Sequence, residues 1–156
     1  MLTYKKIFYV DADACTGCKM CEMVCSLVHG DGSINPKRSR IRIIENPDKG
    51  IFIPQVCNIC EDALCIDACP ESALSREPKT KTIVIDKNSC TGCGLCAEAC
   101  EYDAIFIDPL EDIATVCDLC KGKPKCVDYC LQKALIYSSV KEHSLDNNEK
   151  EANEEK

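Results

Sequence analysis

Sixteen cysteines in a chain of 156 residues fall into four groups of four, with none left over. Cys15, Cys18, Cys21 and Cys25 follow C-x2-C-x2-C-x3-C, and Cys90, Cys93, Cys96 and Cys100 repeat that spacing. Cys57, Cys60, Cys65 and Cys69 follow C-x2-C-x4-C-x3-C, while Cys117, Cys120, Cys126 and Cys130 follow C-x2-C-x5-C-x3-C. Thiols at this density serve disulfides, zinc or iron–sulfur clusters. Disulfides belong to oxidising settings, and the apolar stretch Ile7-Phe8-Tyr9-Val10 is too short for a secretory signal. The expectation is a cytoplasmic protein with reduced thiols.

Spacing separates the two metals. Structural zinc usually takes two well-separated C-x2-C pairs, because four thiolates must converge tetrahedrally on one ion. Three cysteines within seven residues instead wrap a loop around three corners of a 4Fe-4S cubane. The cysteine after x3 lies about one helical turn further on and serves a second cluster, as in two-cluster bacterial ferredoxins. Gly17 and Gly92 within C-T-G-C let the backbone approach sulfide, and Cys69-Pro70 is the closing pair of the bacterial signature.

Composition supports an inorganic interior. The chain has no Trp, three Phe and five Tyr, leaving few bulky residues to fill a core. A net charge of −7 disfavours nucleic acid and anionic membrane surfaces as partners. No apolar run reaches the length of a membrane helix, so no membrane insertion is expected. Walker A, G-x-G-x-x-G and radical-SAM C-x3-C-x2-C patterns are absent.

Internal repetition gives the architecture. Asp86–Cys100 repeats Asp11–Cys25, and Cys69-Pro70-Glu71-Ser72-Ala73-Leu74 matches Cys130-Leu131-Gln132-Lys133-Ala134-Leu135, with Cys100 to Ile105 a third copy. Ala73, Ala104 and Ala134 are small enough to pass close to a cluster. Strands are expected at Lys6–Val10, Thr82–Ile85, Ala104–Ile107 and Ala134–Tyr137, with a hairpin of Ile41–Ile44 and Ile51–Ile53 around Asn46–Gly50. The fold class is α+β: two bacterial ferredoxin-like 2x(4Fe-4S) modules of short helices and small hairpins, the inner inserted into the outer. Residues 1–25 plus 108–140 form the outer module, 26–56 the connection and 57–107 the inner module. Residues 141–156 read as an acidic, disordered tail.

From Lys6 to Tyr137 this layout resembles the four-cluster ferredoxin subunits of molybdenum and tungsten oxidoreductases. That resemblance implies exchange of the closing cysteine between paired motifs. One cluster would be held by Cys15, Cys18, Cys21 and Cys130, and its pair by Cys117, Cys120, Cys126 and Cys25. The inner clusters would take Cys57, Cys60, Cys65 with Cys100, and Cys90, Cys93, Cys96 with Cys69. The words Cys25-Ser26-Leu27-Val28-His29-Gly30, Asn35-Pro36 and Ser39-Arg40-Ile41 look like small subunits accompanying aldehyde ferredoxin oxidoreductase-type tungsten enzymes, including aromatic-ring reductases acting on coenzyme A thioesters. The implied function is electron transfer, without a catalytic site of its own. Electrons would pass between a large tungsten- or molybdenum-containing catalytic subunit and an external ferredoxin or flavin- or NAD-linked subunit. The alternatives are a freely diffusing polyferredoxin, or the equivalent subunit of a hydrogenase or formate dehydrogenase.

Other features carry less. Met20, Ile59, Ile66, Leu95, Leu119 and Val127 are placed to shield clusters. Arg38, Arg40 and Arg42 share one face if extended, read either as a solvated strand face or as a docking surface for an acidic subunit. Lys121, Lys123 and Lys125 read as solvent-exposed. His29 and His143 have no nucleophile partner in the sequence, and His29 reads as a helix cap or a partner-surface residue.

Overall fold

Short strands between the cysteine loops build four separate two-stranded ribbons rather than one sheet. The computed structural model describes residues 5–9 and 14–139. Strand β1 (Lys5–Tyr9) precedes helix α1 (Met20–His29), then β2 (Ile41–Asn46) and β3 (Ile51–Val56). The chain continues through α2 (Leu64–Asp67), β4 (Leu74–Arg76), β5 (Ile83–Ile85), α3 (Leu95–Glu98) and β6 (Ile105–Ile107). It ends with β7 (Ala114–Val116), α4 (Lys125–Asp128) and β8 (Leu135–Ser139). These are the short helices and hairpins of a small α+β protein. Val10, Asp11, His143 and the 141–156 tail lie outside the described residues.

All four ribbons are antiparallel. The expected hairpin runs two or three residues longer on each arm, pairing Ile41 with Val56 and Asn46 with Ile51. β4 pairs with β5, and β6 with β7, a strand that the sequence did not announce. β1 pairs with β8, Lys5 opposite Ser139, so the two ends of the described chain meet. An isolated two-stranded ribbon is marginal in water. Each therefore depends on what it packs against.

Two apolar clusters supply that packing. One gathers Ile7, Val24, Ile41, Ile43, Ile59, Leu119 and Leu135 with Cys21, Cys25 and Cys126. The other gathers Ala73, Leu74, Ile83, Ile105, Ala114 and Val116 with Cys96. Cys57 packs against both. Helix α1 is fixed by two polar anchors. The buried Glu22 carboxylate accepts the Ile43 N–H at 2.6 Å. Ser26 Oγ donates to the Met23 carbonyl and accepts the Asn35 N–H, turning the chain back under the helix.

The arginine stretch is not a free, solvated strand face. Pro36–Arg38 is a 3-10 turn whose Asn35 side chain accepts the Lys37 N–H, and all three arginines turn inward. Arg38 Nε donates to Asp108 at 2.7 Å and Nη2 to Glu111 at 2.8 Å. Arg40 pairs with Asp118 at 2.9 Å, and the Arg42 guanidinium sits 3.9 Å from the Phe106 ring centroid. The partners stand about 70 residues downstream, beyond the reach of a local pattern.

Burial alone would raise the Asp108 carboxyl, but the Arg38 hydrogen bond and the Leu110 and Glu111 N–H groups outweigh it and hold it below the usual carboxylate range. A depressed native pKa contributes stability that is complete above the unfolded value of about 3.9. That contribution is lost as pH falls through the native value. Arg38→Met is therefore expected to move the acid-unfolding midpoint, followed by far-UV circular dichroism, to higher pH. An unchanged midpoint would mean that the pair contributes nothing.

Candidate metal centre

The second residue between the first two cysteines takes positive φ in every group: Gly17 (69°), Ile59 (52°), Gly92 (67°) and Leu119 (56°). This left-handed step curls each loop so that its cysteines face one point. At Gly17 and Gly92 space also forbids a side chain. An added Cβ would meet the Phe52 ring at Gly17 and the Asp112 backbone carbonyl at Gly92. In the other two loops Ile59 and Leu119 hold the same conformation at a cost of roughly 1–3 kcal/mol each. Both are 1% exposed in the first apolar cluster, so burial offsets that strain. Leu95, by contrast, is exposed.

A second left-handed step follows three of the closing cysteines. Ser72, Asp103 and Lys133 have φ of 50°, 46° and 52°. Their N–H groups donate to the carbonyls of Cys69, Cys100 and Cys130 at 3.0–3.2 Å. The next residue is in each case a buried alanine. Ala73 and Ala104 N–H donate to Cys69 and Cys100 Sγ at 3.4 Å. Cys25 departs from the pattern because α1 runs on past it, and its sulfur accepts the Arg40 N–H at 3.3 Å instead. Cys90 Sγ accepts the Ala114 N–H at 3.4 Å. Amide donors to sulfur of this kind tune a cluster's potential.

The sulfurs gather across the groups. One cavity is lined by Cys15, Cys18, Cys21 and Cys130. A second is lined by Cys57, Cys60, Cys65 and Cys100, and a third by Cys69, Cys90, Cys93 and Cys96. Cys25, Cys117 and Cys126 pack together in the first apolar cluster, and Cys25 is among the groups that raise the Cys120 thiol. Each quartet offers the four thiol donors that a 4Fe-4S cubane takes.

Burial sets the electrostatics. It pushes the Cys21 thiol up to about 12 and the Cys57 thiol to about 11, and it drives Cys117 and Cys126 far above their ordinary value, with neighbouring sulfurs adding to the rise. Such thiols stay neutral on their own. Taking up a cationic iron centre deprotonates them, which couples metal uptake to proton release and to folding.

Sequence reasoning did not place His29. Its Nε2 lies 3.5 Å from Cys120 Sγ and 3.4 Å from Asp118, with the side chain 12% exposed. It is neither a cap nor a surface residue. Burial first, then the Arg40 charge, lower its pKa against the opposing pull of Asp118. The contact spans 91 positions, and no local signal marks it. Lys6 is similar: its ammonium donates to Asn58 at 2.7 Å, joining β1 to the second cysteine loop.

The family model described as a 4Fe-4S dicluster domain matches residues 49–140, and that of a 4Fe-4S binding domain matches residues 12–27. The polyferredoxin-like subunit of aliphatic sulfonate oxidoreductase from Pyrococcus furiosus is 42% identical over 121 residues, 78% of this chain and 69% of that one. A subunit of the anaerobic dimethyl sulfoxide reductase of Escherichia coli is 32% identical, over 86% of this chain and 74% of its own length. The chain spans 62% of the Escherichia coli ferredoxin-like protein YdhX, to which it is 33% identical. Among solved structures, the active-site complex BamBC of benzoyl coenzyme A reductase with 1,5-dienoyl-CoA contains a polypeptide that matches with a TM-score of 0.51 and 29% identity, covering 86% of this chain and 75% of that polypeptide. Among the described residues no helix is long and apolar enough to cross a membrane. With its cysteine loops, its ribbons and these relatives in agreement, the chain belongs to the 4Fe-4S dicluster family, as a ferredoxin-like iron–sulfur electron-transfer subunit of the oxidoreductase type.

Proposed function

We propose that this chain holds four 4Fe-4S clusters and passes single electrons between a large tungsten- or molybdenum-containing catalytic subunit and an external redox partner, a ferredoxin or a flavin- or NAD-linked subunit. The observation that supports the reading is three cavities, each lined by three cysteines of one group and the closing cysteine of another. The ligand sets are Cys15, Cys18, Cys21, Cys130; Cys117, Cys120, Cys126, Cys25; Cys57, Cys60, Cys65, Cys100; and Cys90, Cys93, Cys96, Cys69. A cluster bound by four thiolates has no open coordination site, so what it supplies is one-electron transfer.

The quartets follow one another in space. Cys15, Cys21 and Cys130 pack in the first apolar cluster with Cys25, Cys117 and Cys126, and Cys57 packs against both that cluster and the second, which holds Cys69, Cys90 and Cys96. The run is then the Cys18, Cys120, Cys60 and Cys93 quartets, with the Cys18 and Cys93 quartets at the two ends. The β1–β8 pairing supports an outer module, 1–25 plus 108–140, closed around an inserted inner module, 57–107, with 26–56 as the connection. Pairing of β6 with β7 adds a strand from the outer span to the inner module's last ribbon.

Partner type rests on the relatives' names, an aliphatic sulfonate oxidoreductase and a benzoyl coenzyme A reductase, together with the words at 25–30 and 35–41. Sixteen reduced thiols suit the cytoplasm. Anaerobic purification from native extract is expected to give a complex eluting far above 17.2 kDa that contains tungsten or molybdenum. Elution near 17.2 kDa would make the chain a diffusing polyferredoxin. Nickel in place of either metal would make its partner a hydrogenase.

A further inference from the structure

We propose that the Cys18 end of the molecule docks an acidic redox protein, and that the Cys93 end, of opposite charge, does not. The proposal rests on the cluster order given above. Of the sixteen cysteines only Cys18 and Cys93 are exposed. They belong to the two terminal quartets, where the protein cover over a cluster is thinnest and an electron has the shortest way out.

The internal repeat allows the two ends to be compared position by position. Lys19 follows Cys18, where Gly94 follows Cys93. After the closing cysteine, Leu131, Gln132 and Lys133 stand where Pro70, Glu71 and Ser72 stand at the other end. Lys19 and Gln132 line the cavity beside Cys18, while Gly94 and Glu71 line the one beside Cys93. Lys19 and Lys133 are exposed, and among the described residues neither takes part in an ion pair. Leu131, next to Cys130 in the chain, is 83% exposed. Exposed lysines and an exposed apolar side chain on the two segments that hold Cys18 and Cys130 have the make-up of a transient electron-transfer interface.

The charge difference extends over the described residues. Residues 57–116 carry twelve Asp and Glu against four Lys and Arg. The remaining described residues carry twelve Lys and Arg against six Asp and Glu. Bound clusters add equal charge at both ends, so the polarity belongs to the polypeptide. A field of this kind sorts partners and raises the rate of encounter with the complementary one.

The test uses the full chain, loaded anaerobically, reduced, and mixed by stopped flow with two protein oxidants: plastocyanin, which is acidic, and cytochrome c, which is basic. One electron leaves a reduced cluster and reduces one copper or haem centre. With plastocyanin the second-order rate is expected to fall about tenfold between about 10 mM and about 0.3 M salt. Lys19→Glu with Lys133→Glu is expected to give about the same loss at low salt, with the cytochrome c rate unchanged. A plastocyanin rate insensitive to salt in fully loaded wild type overturns the proposal without need of a variant. So does head-to-tail self-association at low salt that the double substitution abolishes, which would make the occupant the acidic half of a second copy. Iron is assayed on the same samples. Wild type holding well under about sixteen irons overturns the cluster reading itself, whereas full iron with unmoved rates overturns only the docking face.

Discussion

Replacing Cys25 with alanine is expected to lower iron from about sixteen to about twelve per chain, and the cluster lost is the one held by Cys117, Cys120 and Cys126. The expectation follows from where the sulfur points. Cys25 lies one helical turn beyond Cys21 on α1 and raises the Cys117, Cys120 and Cys126 thiols through its charge. The cavity of its own group is completed by Cys130. Double variants make the assignment readable from iron alone, because losses in one cage coincide and losses in separate cages add. Cys25→Ala with Cys120→Ala should stay near twelve irons, whereas Cys25→Ala with Cys18→Ala should fall to about eight. The reverse order would show that each group closes its own cluster. Acid-labile sulfide measured alongside iron guards against a damaged three-iron species counted as loss.

Gly92→Ala is expected to destabilise the inner module by about 3 kcal/mol, a drop of about 6–12 °C in Tm, with loss of the cluster at Cys90, Cys93 and Cys96. Two costs coincide there. A side chain must hold φ of 67°, and its Cβ is driven into the Asp112 carbonyl. That carbonyl is backbone, in the segment leading into β7, and it moves only if the β6–β7 ribbon moves with it. Gly17→Ala is the matched comparison. The same left-handed step is needed, but the obstacle is the half-buried Phe52 ring, which can turn aside. The loss should be about half as large. Thermal unfolding under anaerobic conditions, with iron content before and after, measures both. Equal effects at the two glycines would mean that backbone conformation alone accounts for the cost.

Much of the site was legible because cluster ligation leaves a local trace. A loop holding three corners of a cubane must return three sulfurs within a few residues, so x2 openings and x3 closings survive in the linear text. The alanine that recurs shortly after Cys69, Cys100 and Cys130 was visible for the same reason. Its steric need is local, and Ala73, Ala104 and Ala134 are all at most 2% exposed. The ribbons were legible through β-branched runs at Ile41–Ile44, Ile83–Ile85 and Ile105–Ile107. What stayed hidden has a common cause. β7, with only Ala114, Thr115 and Val116, has too little pattern of its own and is a strand because β6 pairs with it. Ile59 and Leu119 gave no sign that they hold the backbone shape that glycine holds in the sister loops.

By itself the amino-acid order determined the number of cysteine quartets, the kind of inorganic centre they suit and the repeated halves, since each depends on spacing along one short stretch. Only the tertiary structure decided where the arginines go and that His29 faces Cys120. Those features join residues tens of positions apart. A charge has no fixed role until folding brings it a neighbour, and neither the distance nor the dielectric between them can be read along the chain.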